Sequence, residues 1–291
     1  MKKKIDNPIW QKKENWWFNV WKKAGLPFFP SQGEIKFYKK TVDKIAKRNN
    51  PKVLVLGATP QIRDLLAEYR NIQVYLIDVN IPVYRAMTRL RKKKNPREKL
   101  VVADWLKMPF PDNFFDLVVG HGSFSVIKLK NHQKLYQNIK RVVKKDGYIL
   151  IGRCNVEIFL RNPITLKQLI VKYKKDPDYF KNFQNRVYIL YRLIKEPGVY
   201  DRRIQGFRYH VLVKKAIDYA KKQGLSDKQI QDFYFIYPEL GPKAVYTDVD
   251  IESIKKVKVM TKKHFVIKEV YQDDYHPIAK VFIDFLCQVK K

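Results

Sequence analysis

The sequence predicts an α/β fold: a doubly wound, mostly parallel sheet with an antiparallel edge, plus N-terminal helices and a helical insertion. Three observations predict it. Between Pro51 and Cys154, short continuous apolar runs alternate with amphipathic helical patterns, as expected for parallel strands buried on both faces. Beyond Cys154 the alternation stops and helical periodicity dominates to about residue 260. The last stretch, "HFVIKEVYQDDYHPIAKVFIDFLCQVKK", carries two strand-like runs about a polar turn, which suits an antiparallel pair added to the sheet. The expected division is a helical, aromatic cap over 1–50, a core over 51–154, a mainly helical insertion over 155–260 that lids the site, and closing strands over 261–291.

Each element has a local reason. Trp10, Trp16, Trp17 and Trp21 are scattered among lysines in a helical N-terminal segment that Pro27 and Pro30 interrupt. "SQGE" at 31–34 is a capping box, in which Ser31 and Glu34 satisfy each other's backbone N–H groups. Ile35, Tyr38, Val42 and Ile45 then mark one helix face. Val53–Leu56 is the first strand and Gln61–Tyr69 a helix with Ile62, Leu65, Leu66 and Tyr69 on one side. Gln73–Ile77 is a strand, and Pro82 opens a helix to about Lys93. Leu100–Ala103 and Phe115–Gly120 are strands, His132–Lys144 a helix, and Asp146–Gly147 a turn into strand Tyr148–Ile151. In the insertion, "TLKQLIVKY", "YFKNFQNRVYILYRLI" and "YHVLVKKAIDYAKK" read as helices, and Ser226 with Gln229 forms a second capping box.

Composition bounds the function. The chain has 291 residues with 60 Lys+Arg against 28 Asp+Glu, a formal charge of +32. Such an excess attracts phosphate-rich partners. Much of it is spread as solvated lysine, with denser runs at "RAMTRLRKKKNPREK" (85–99) and "KLKNHQKLYQNIKRVVKK" (128–145). No apolar run is long enough to span a bilayer, and the basic start lacks the apolar stretch of a signal peptide. Cys154 and Cys287 form neither a disulfide framework nor a metal pattern. A cytoplasmic, reducing setting is therefore expected, and no metal.

In open α/β sheets the ligand lies beyond the carboxyl ends of the strands. The first strand ends at Gly57-Ala58-Thr59-Pro60, the second at Asp78-Val79-Asn80, the third at Asp104-Trp105, and the fourth at "GHGSF", with Gly120, His121 and Ser123. Gly57 lets a ligand approach the backbone. Asp78 can accept from two ribose hydroxyls, Asp104 from an adenine amino group, and Trp105 or Val79 can cover the ring. Each Asp alone could equally cap a helix. Their recurrence at consecutive strand ends after a glycine turn favours an adenosine-containing ligand.

"VLVLGATP", "LIDVN", "VVADWLKMPFPDNFFDLVVG" and "IKRVVKKDGYILIG" together resemble the class I S-adenosylmethionine-dependent methyltransferases, in particular a poorly characterised subset with a G-x-T-P first motif. The resemblance covers about 51–154 and the final two strands. It implies a seven-stranded Rossmann-like sheet, S-adenosylmethionine as methyl donor, S-adenosylhomocysteine as product, and Gly57, Ala58, Thr59, Pro60, Asp78, Val79, Asn80, Asp104, Trp105, Gly120, His121 and Ser123 around the cofactor. The family's G-x-G is replaced by G-A-T-P, and Lys145-Asp146 stand where Pro-Gly is usual. A missing pyrophosphate explains the first departure, because a phosphate needs bare backbone at a helix N-terminus and this cofactor has none. An NAD-dependent dehydrogenase is disfavoured for the same reason.

His121, with a pKa naturally near neutrality, is the candidate general base if the acceptor arrives protonated; holding the cofactor or ordering the loop is an equal alternative. Cys154 follows the fifth strand, where RNA cytosine-C5 methyltransferases carry a nucleophile. The Pro-Cys that those enzymes place after the fourth strand is absent, so Cys154 is expected to be a buried apolar residue. Tyr200, Arg202, Arg203, Arg208, Tyr209 and His210 are the candidate acceptor contacts. The expected function is methyl transfer to an O or N atom of a small or medium-sized molecule. The alternative is an RNA or other nucleic-acid methyltransferase, with 85–99 and Arg202/Arg203 sharing the cofactor's face; a non-catalytic binding protein on the same fold is a third reading.

Overall fold

A computed structural model describes residues 12–23, 25–26, 28–155, 196–231, 250–274 and 279–290, and within 156–195 only 167, 168, 171, 175, 176 and 194. The core is a seven-stranded sheet. Its strands are β1 (Lys52–Leu56), β2 (Gln73–Ile77), β3 (Glu98–Val101), β4 (Phe115–His121), β5 (Val143–Cys154), β9 (Phe265–Tyr271) and β10 (Phe282–Val289), in the spatial order β3-β2-β1-β4-β5-β10-β9. The pairs β1–β2, β2–β3, β1–β4 and β4–β5 are parallel. β10 runs antiparallel to both β5 and β9, so the closing pair leaves β9 at the edge and β10 between it and β5. The reversal of strand order between β1 and β4 is the switch point at which a ligand crevice opens.

Helices cover both faces. α2 (Gln32–Ala46) and α3 (Pro60–Leu66) lie on one side, where Phe37, Tyr38, Val42 and Ile45 meet Val53, Val55, Val119 and Leu150. α5 (His132–Val142) and the crossover helix α8 (Ile254–His264) lie on the other, where Leu135, Tyr136, Ile139 and Val257 meet Leu54, Val118, Ile149 and Phe285. Alternate strand residues thus feed two separate cores, as a doubly covered parallel sheet requires. α1 (Glu14–Lys23) packs on α4 (Ile81–Leu90): Trp17 is fully buried with Ala58, Ala86 and Met87, and Arg89 donates to Asn15 at 2.7 Å with its guanidinium over Phe18.

The capping box at α2 is present, Glu34 N donating to Ser31 Oγ at 3.0 Å and Ser31 N to Glu34 Oε2 at 2.6 Å. Ser226 and Gln229 form the second, at α7 (Asp227–Gln231). Several expected boundaries shift. α3, α4 and α5 end at Leu66, Leu90 and Val142, two to three residues early, and β3 ends at Val101 rather than Ala103. Two further shifts have a clear cause. β3 begins at Glu98 rather than Leu100, because the pairing with Val74 starts there. Asp146–Gly147 does not start a fresh strand: β5 begins at Val143, and residues 144–147 bulge out where its pairing jumps from Phe115↔Val143 to Leu117↔Tyr148. Gly147 is needed at that bulge, since a Cβ there would lie 3.0 Å from Lys144 O and 3.1 Å from Asp116 O.

Within 155–260 the described residues hold α6 (Tyr209–Lys222), α7 and a three-stranded antiparallel sheet of β6 (Tyr200–Asp201), β7 (Gly206–Arg208) and β8 (Asp250–Glu252). These strands are two or three residues long, too short for a two-residue period to register in sequence. α6 coincides with "YHVLVKKAIDYAKK"; the other two expected helices fall almost wholly outside the described residues. α8 packs against α5 and leads directly into β9, so the last helix of this stretch serves the main sheet.

Candidate active site

The turn after β1 is built around Gly57. Its φ of +94° lies in the left-handed region, and a Cβ there would face Trp105 at 3.6 Å and Asp78 Oδ2 at 4.0 Å. Gly57, Asp78 and Trp105 therefore meet at one spot beyond β1, β2 and β3. Ile77 O fixes the corner by accepting from Gly57 N at 3.0 Å and from the Trp105 indole N–H at 2.6 Å. Val79 and Val102 leave about half of their surfaces exposed at the same rim. That apolar lip, with a glycine cradle that a side chain would fill, fits an adenosine ligand.

Pro60 is the first residue of α3, where the missing N–H costs nothing. Thr59 precedes it without capping the helix through its side chain. That is unusual for a threonine in this position, and it leaves the hydroxyl to the turn. Ala58 is buried under Trp17, so α1 roofs the turn.

Both acidic strand ends accept from the backbone that follows them. Asp78 Oδ1 accepts from Asn80 N at 2.8 Å, while Asp104 Oδ1 accepts from Leu106 N at 2.9 Å. Asp78 lies in a recess although part of its surface remains open, and this burial pushes its pKa up to about 6 against the opposing backbone donors Asn80 and Val79. Hydroxyl donors from a ribose would relieve that desolvation. Asn80 is a buried helix cap, its Oδ1 accepting from Val83 N at 3.0 Å.

Gly120 and Ser123 close the floor. Ser123 Oγ donates to Leu56 O at 3.2 Å and occupies the space a Cβ on residue 120 would need, so both residues tie the ends of β1 and β4 together. His121 ends β4 with its side chain buried against Phe282, ring centroids 4.5 Å apart. Its Nδ1 faces Tyr38 Oη and Glu34 Oε1, each at 3.5 Å. Tyr38 in turn donates to Asp284 Oδ1 at 2.5 Å. Glu34, Tyr38, Asp284 and Phe282 escaped the sequence reading of this site. The capping box had located Glu34, but nothing in one-dimensional spacing sets α2 beside β10.

Tyr200 and Arg208 lie on the β6–β7 hairpin, with Arg202 and Arg203 in its turn. Arg203 and Arg208 pair with Asp201 at 3.6 and 3.5 Å, and Arg202 and Arg203 are exposed. The side chains of Tyr209 and His210 lie outside the described residues. The small sheet is tied to α8 through Lys256 Nζ, which donates to Ile204 O at 3.0 Å and pairs with Glu252 at 3.2 Å, and to the end of β5 through Arg153, 3.3 Å from Glu252.

The basic run 85–99 is elsewhere. Residues 91–97 join the end of α4 to the start of β3, which is the opposite end of the sheet from Gly57, Asp78 and Asp104. Several of its charges are met locally: Arg91 by Glu98 at 3.0 Å, Lys93 by Glu68 at 2.7 Å, and Arg97 by Arg70 O at 3.0 Å. Cys154 is buried, and burial pushes its thiol up to about 12, with the nearby Arg153 only partly offsetting it; Cys287 is also driven to about 12 by burial. Neither thiol is expected to react with Ellman's reagent at pH 8 in the native protein, while both should react in guanidinium; native labelling of either would contradict this burial.

A family model described as "Methyltransferase domain" matches residues 56–151, from the end of β1 to the middle of β5. Residues 56–151 are a methyltransferase domain. The sheet that carries this domain is Rossmann-like, seven-stranded with an antiparallel closing pair. Among curated relatives, the ubiquinone/menaquinone biosynthesis C-methyltransferase UbiE of Cupriavidus taiwanensis is 28% identical over 114 residues, 38% of this chain and 46% of that protein. The chain spans less than half the length of the curated relatives it matches. Two solved structures share the fold: the CcbJ methyltransferase of Streptomyces caelestis (TM-score 0.53, 9% identity, 94% of this chain and 96% of that one) and a protein described as a putative Zn-dependent alcohol dehydrogenase of Rhodobacter sphaeroides (TM-score 0.57, 11% identity, 95% and 98%). At such identities the likeness is one of fold alone. Among the described residues no helix is long and apolar enough to cross a membrane.

Proposed function

We propose that the chain transfers a methyl group from S-adenosylmethionine to an O or N atom of a small or medium-sized acceptor. The observation that carries this reading is the convergence of Gly57, Asp78 and Trp105 on one recess, with Asp104 at the next strand end, inside a methyltransferase domain. Bound S-adenosylmethionine supplies an electrophilic methyl carbon, which the acceptor attacks in line with the departing sulfur. The Gly57–Pro60 turn holds the amino acid end, Asp78 takes the ribose hydroxyls, Asp104 the adenine amino group, and Val79 with Trp105 covers the ring. Holding donor and acceptor in register is the main service of such a site, worth roughly 7–11 kcal/mol where alignment is good. The β6–β7 hairpin, with Tyr200, Arg202 and Arg203, and the nearby His210 are the proposed acceptor side, and 155–260 the proposed lid. His121, at the end of β4, is the proposed general base should the acceptor arrive protonated, with holding the cofactor or ordering the loop as the equal alternative.

The small-acceptor reading is favoured over a nucleic-acid one because the densest basic run lies at the far end of the sheet from the recess and is partly neutralised. The formal charge of +32 is what speaks for the second reading. Radiolabelled methyl transfer into separated small-molecule, protein and RNA fractions decides between them. Label in the small-molecule fraction is the expected outcome; label confined to RNA would overturn the choice, as would transfer that collapses with added salt.

A further inference from the structure

We propose that Glu34, His121 and Asp284 form a binding site for one divalent first-row metal ion, tying α2 to the ends of β4 and β10. This goes beyond the cofactor reading and does not depend on it. All three side chains are buried, and one ligand atom from each lies within 4.8 Å of the others. His121 Nδ1 and Glu34 Oε1 are 3.5 Å apart. Ligands about 2.0–2.2 Å from a shared zinc-like ion stand about 3 to 3.5 Å from one another, so the separation already suits a common ion.

The second observation is how each carboxylate is held. Glu34 Oε2 accepts from Ser31 N at 2.6 Å, and Asp284 Oδ1 accepts from Tyr38 Oη at 2.5 Å. The remaining oxygens, Glu34 Oε1 and Asp284 Oδ2, are buried without a hydrogen-bond partner, and Asp284 is fully buried. One oxygen of each carboxylate is thus fixed by a donor while the other has none, and the Glu34 and Asp284 carboxyls lie within hydrogen-bonding reach of each other, as ligands oriented by their surroundings do. Gly152 adds to the cradle: a Cβ there would lie 2.8 Å from Asp284 Oδ1 and 3.2 Å from His121 Nδ1.

Charge points the same way. Among the described residues no lysine or arginine pairs with Glu34 or Asp284, in a chain that carries 60 such residues. Glu252, a buried carboxylate near the end of β5, by contrast has Arg153 at 3.3 Å and Lys256 at 3.2 Å, while the buried Asp273 beside the cluster accepts from Ser31 Oγ. Uncompensated buried carboxylates are costly, and a cation or a shared proton must meet them. An imidazole beside two carboxylates suits Zn2+ or Mn2+, and ligand atoms this close leave room for an ion rather than a substituted amine. With the ion on Nδ1, the imidazole proton resides on Nε2, so His121 would donate to an acceptor or cofactor group rather than abstract a proton from it.

The test is calorimetric titration of chelator-treated full chain with Zn2+ and, separately, Mn2+, alongside thermal melts. One ion per chain, a raised Tm, and at least tenfold weaker binding in both Glu34→Gln and Asp284→Asn are expected. No stoichiometric binding by wild type would overturn the proposal and leave a proton shared between the two carboxyls. Undiminished binding in both folded variants would overturn it too, by moving the ion elsewhere. Should the variants not fold, X-ray absorption on the wild-type chain loaded with one equivalent of Zn2+ decides: a single imidazole with oxygen ligands supports the site, and a two-histidine or sulfur-containing shell refutes it. Calorimetry with S-adenosylhomocysteine on the chelator-treated chain reads the cofactor site separately.

Discussion

Asp78→Ala is expected to weaken S-adenosylhomocysteine binding by about one to two orders of magnitude, the equivalent of one or two hydrogen bonds to a charged acceptor. The same carboxylate should impose a pH dependence. Burial holds its pKa at about 6 in the ligand-free protein. Ribose hydroxyls that donate to the ionised form lower that pKa, so binding and deprotonation favour each other. Above pH 6 the affinity should be flat on this account. Below it, affinity should fall toward tenfold per unit until the pKa of the liganded state is reached. Asp78→Asn keeps an acceptor oxygen but has no such titration, so its profile should be level across the same range. Calorimetry between pH 5 and 8 checks both statements. Unchanged affinity in Asp78→Ala would remove Asp78 from the site, and a wild-type profile identical to that of Asp78→Asn would remove the titration.

Arg63→Ala is expected to cost about 3 kcal/mol of stability, the low end for breaking a buried ion pair from one side. Arg63 has no exposed side-chain surface and reaches Glu98 through Nε at 2.9 Å and Nη2 at 2.6 Å, with Thr88 Oγ1 also at 3.0 Å from Nη2. Its removal opens a cavity between α3 and α4 and leaves Glu98 buried with Arg91 at 3.0 Å as its remaining partner. That surviving contact is why the low end applies. Urea denaturation followed by circular dichroism reads the change, and a loss under about 1 kcal/mol would show that the pair is solvated. Arg63 is remote from Glu34, His121 and Asp284, so metal binding at low temperature should survive the substitution.

Arg63 also illustrates what a single sequence conceals. The apolar face of α3 was legible from Ile62, Leu65 and Leu66, but an arginine beside them reads as a solvated flank. Its burial comes from Glu98, which arrives thirty-five residues later at the start of β3. The bulge at 144–147 is similar: Asp-Gly looks like a turn, and only the register of β4 against β5 shows that the chain stays in one strand.

By itself the sequence determined the order of strands and helices over 51–154 and the closing strand pair, the doubly covered sheet, the capping boxes and the positions of Gly57, Asp78, Asp104 and His121 at strand ends, but not the small β6–β7–β8 sheet. These follow from local rules: hydrophobic period, the conformational needs of glycine and proline, and the one-directional run of parallel strands, which brings every strand's carboxyl end to the same side. The tertiary structure decided what no local rule contains. It put Trp105 against Gly57, roofed the turn with Trp17, carried the 85–99 run to the far end of the sheet, and gathered Glu34, Tyr38, His121 and Asp284 from three distant segments. Contacts across the sheet depend on which strand lies beside which. Here β10, the last strand in the chain, inserts next to β5 and lies under α2, one of the first helices.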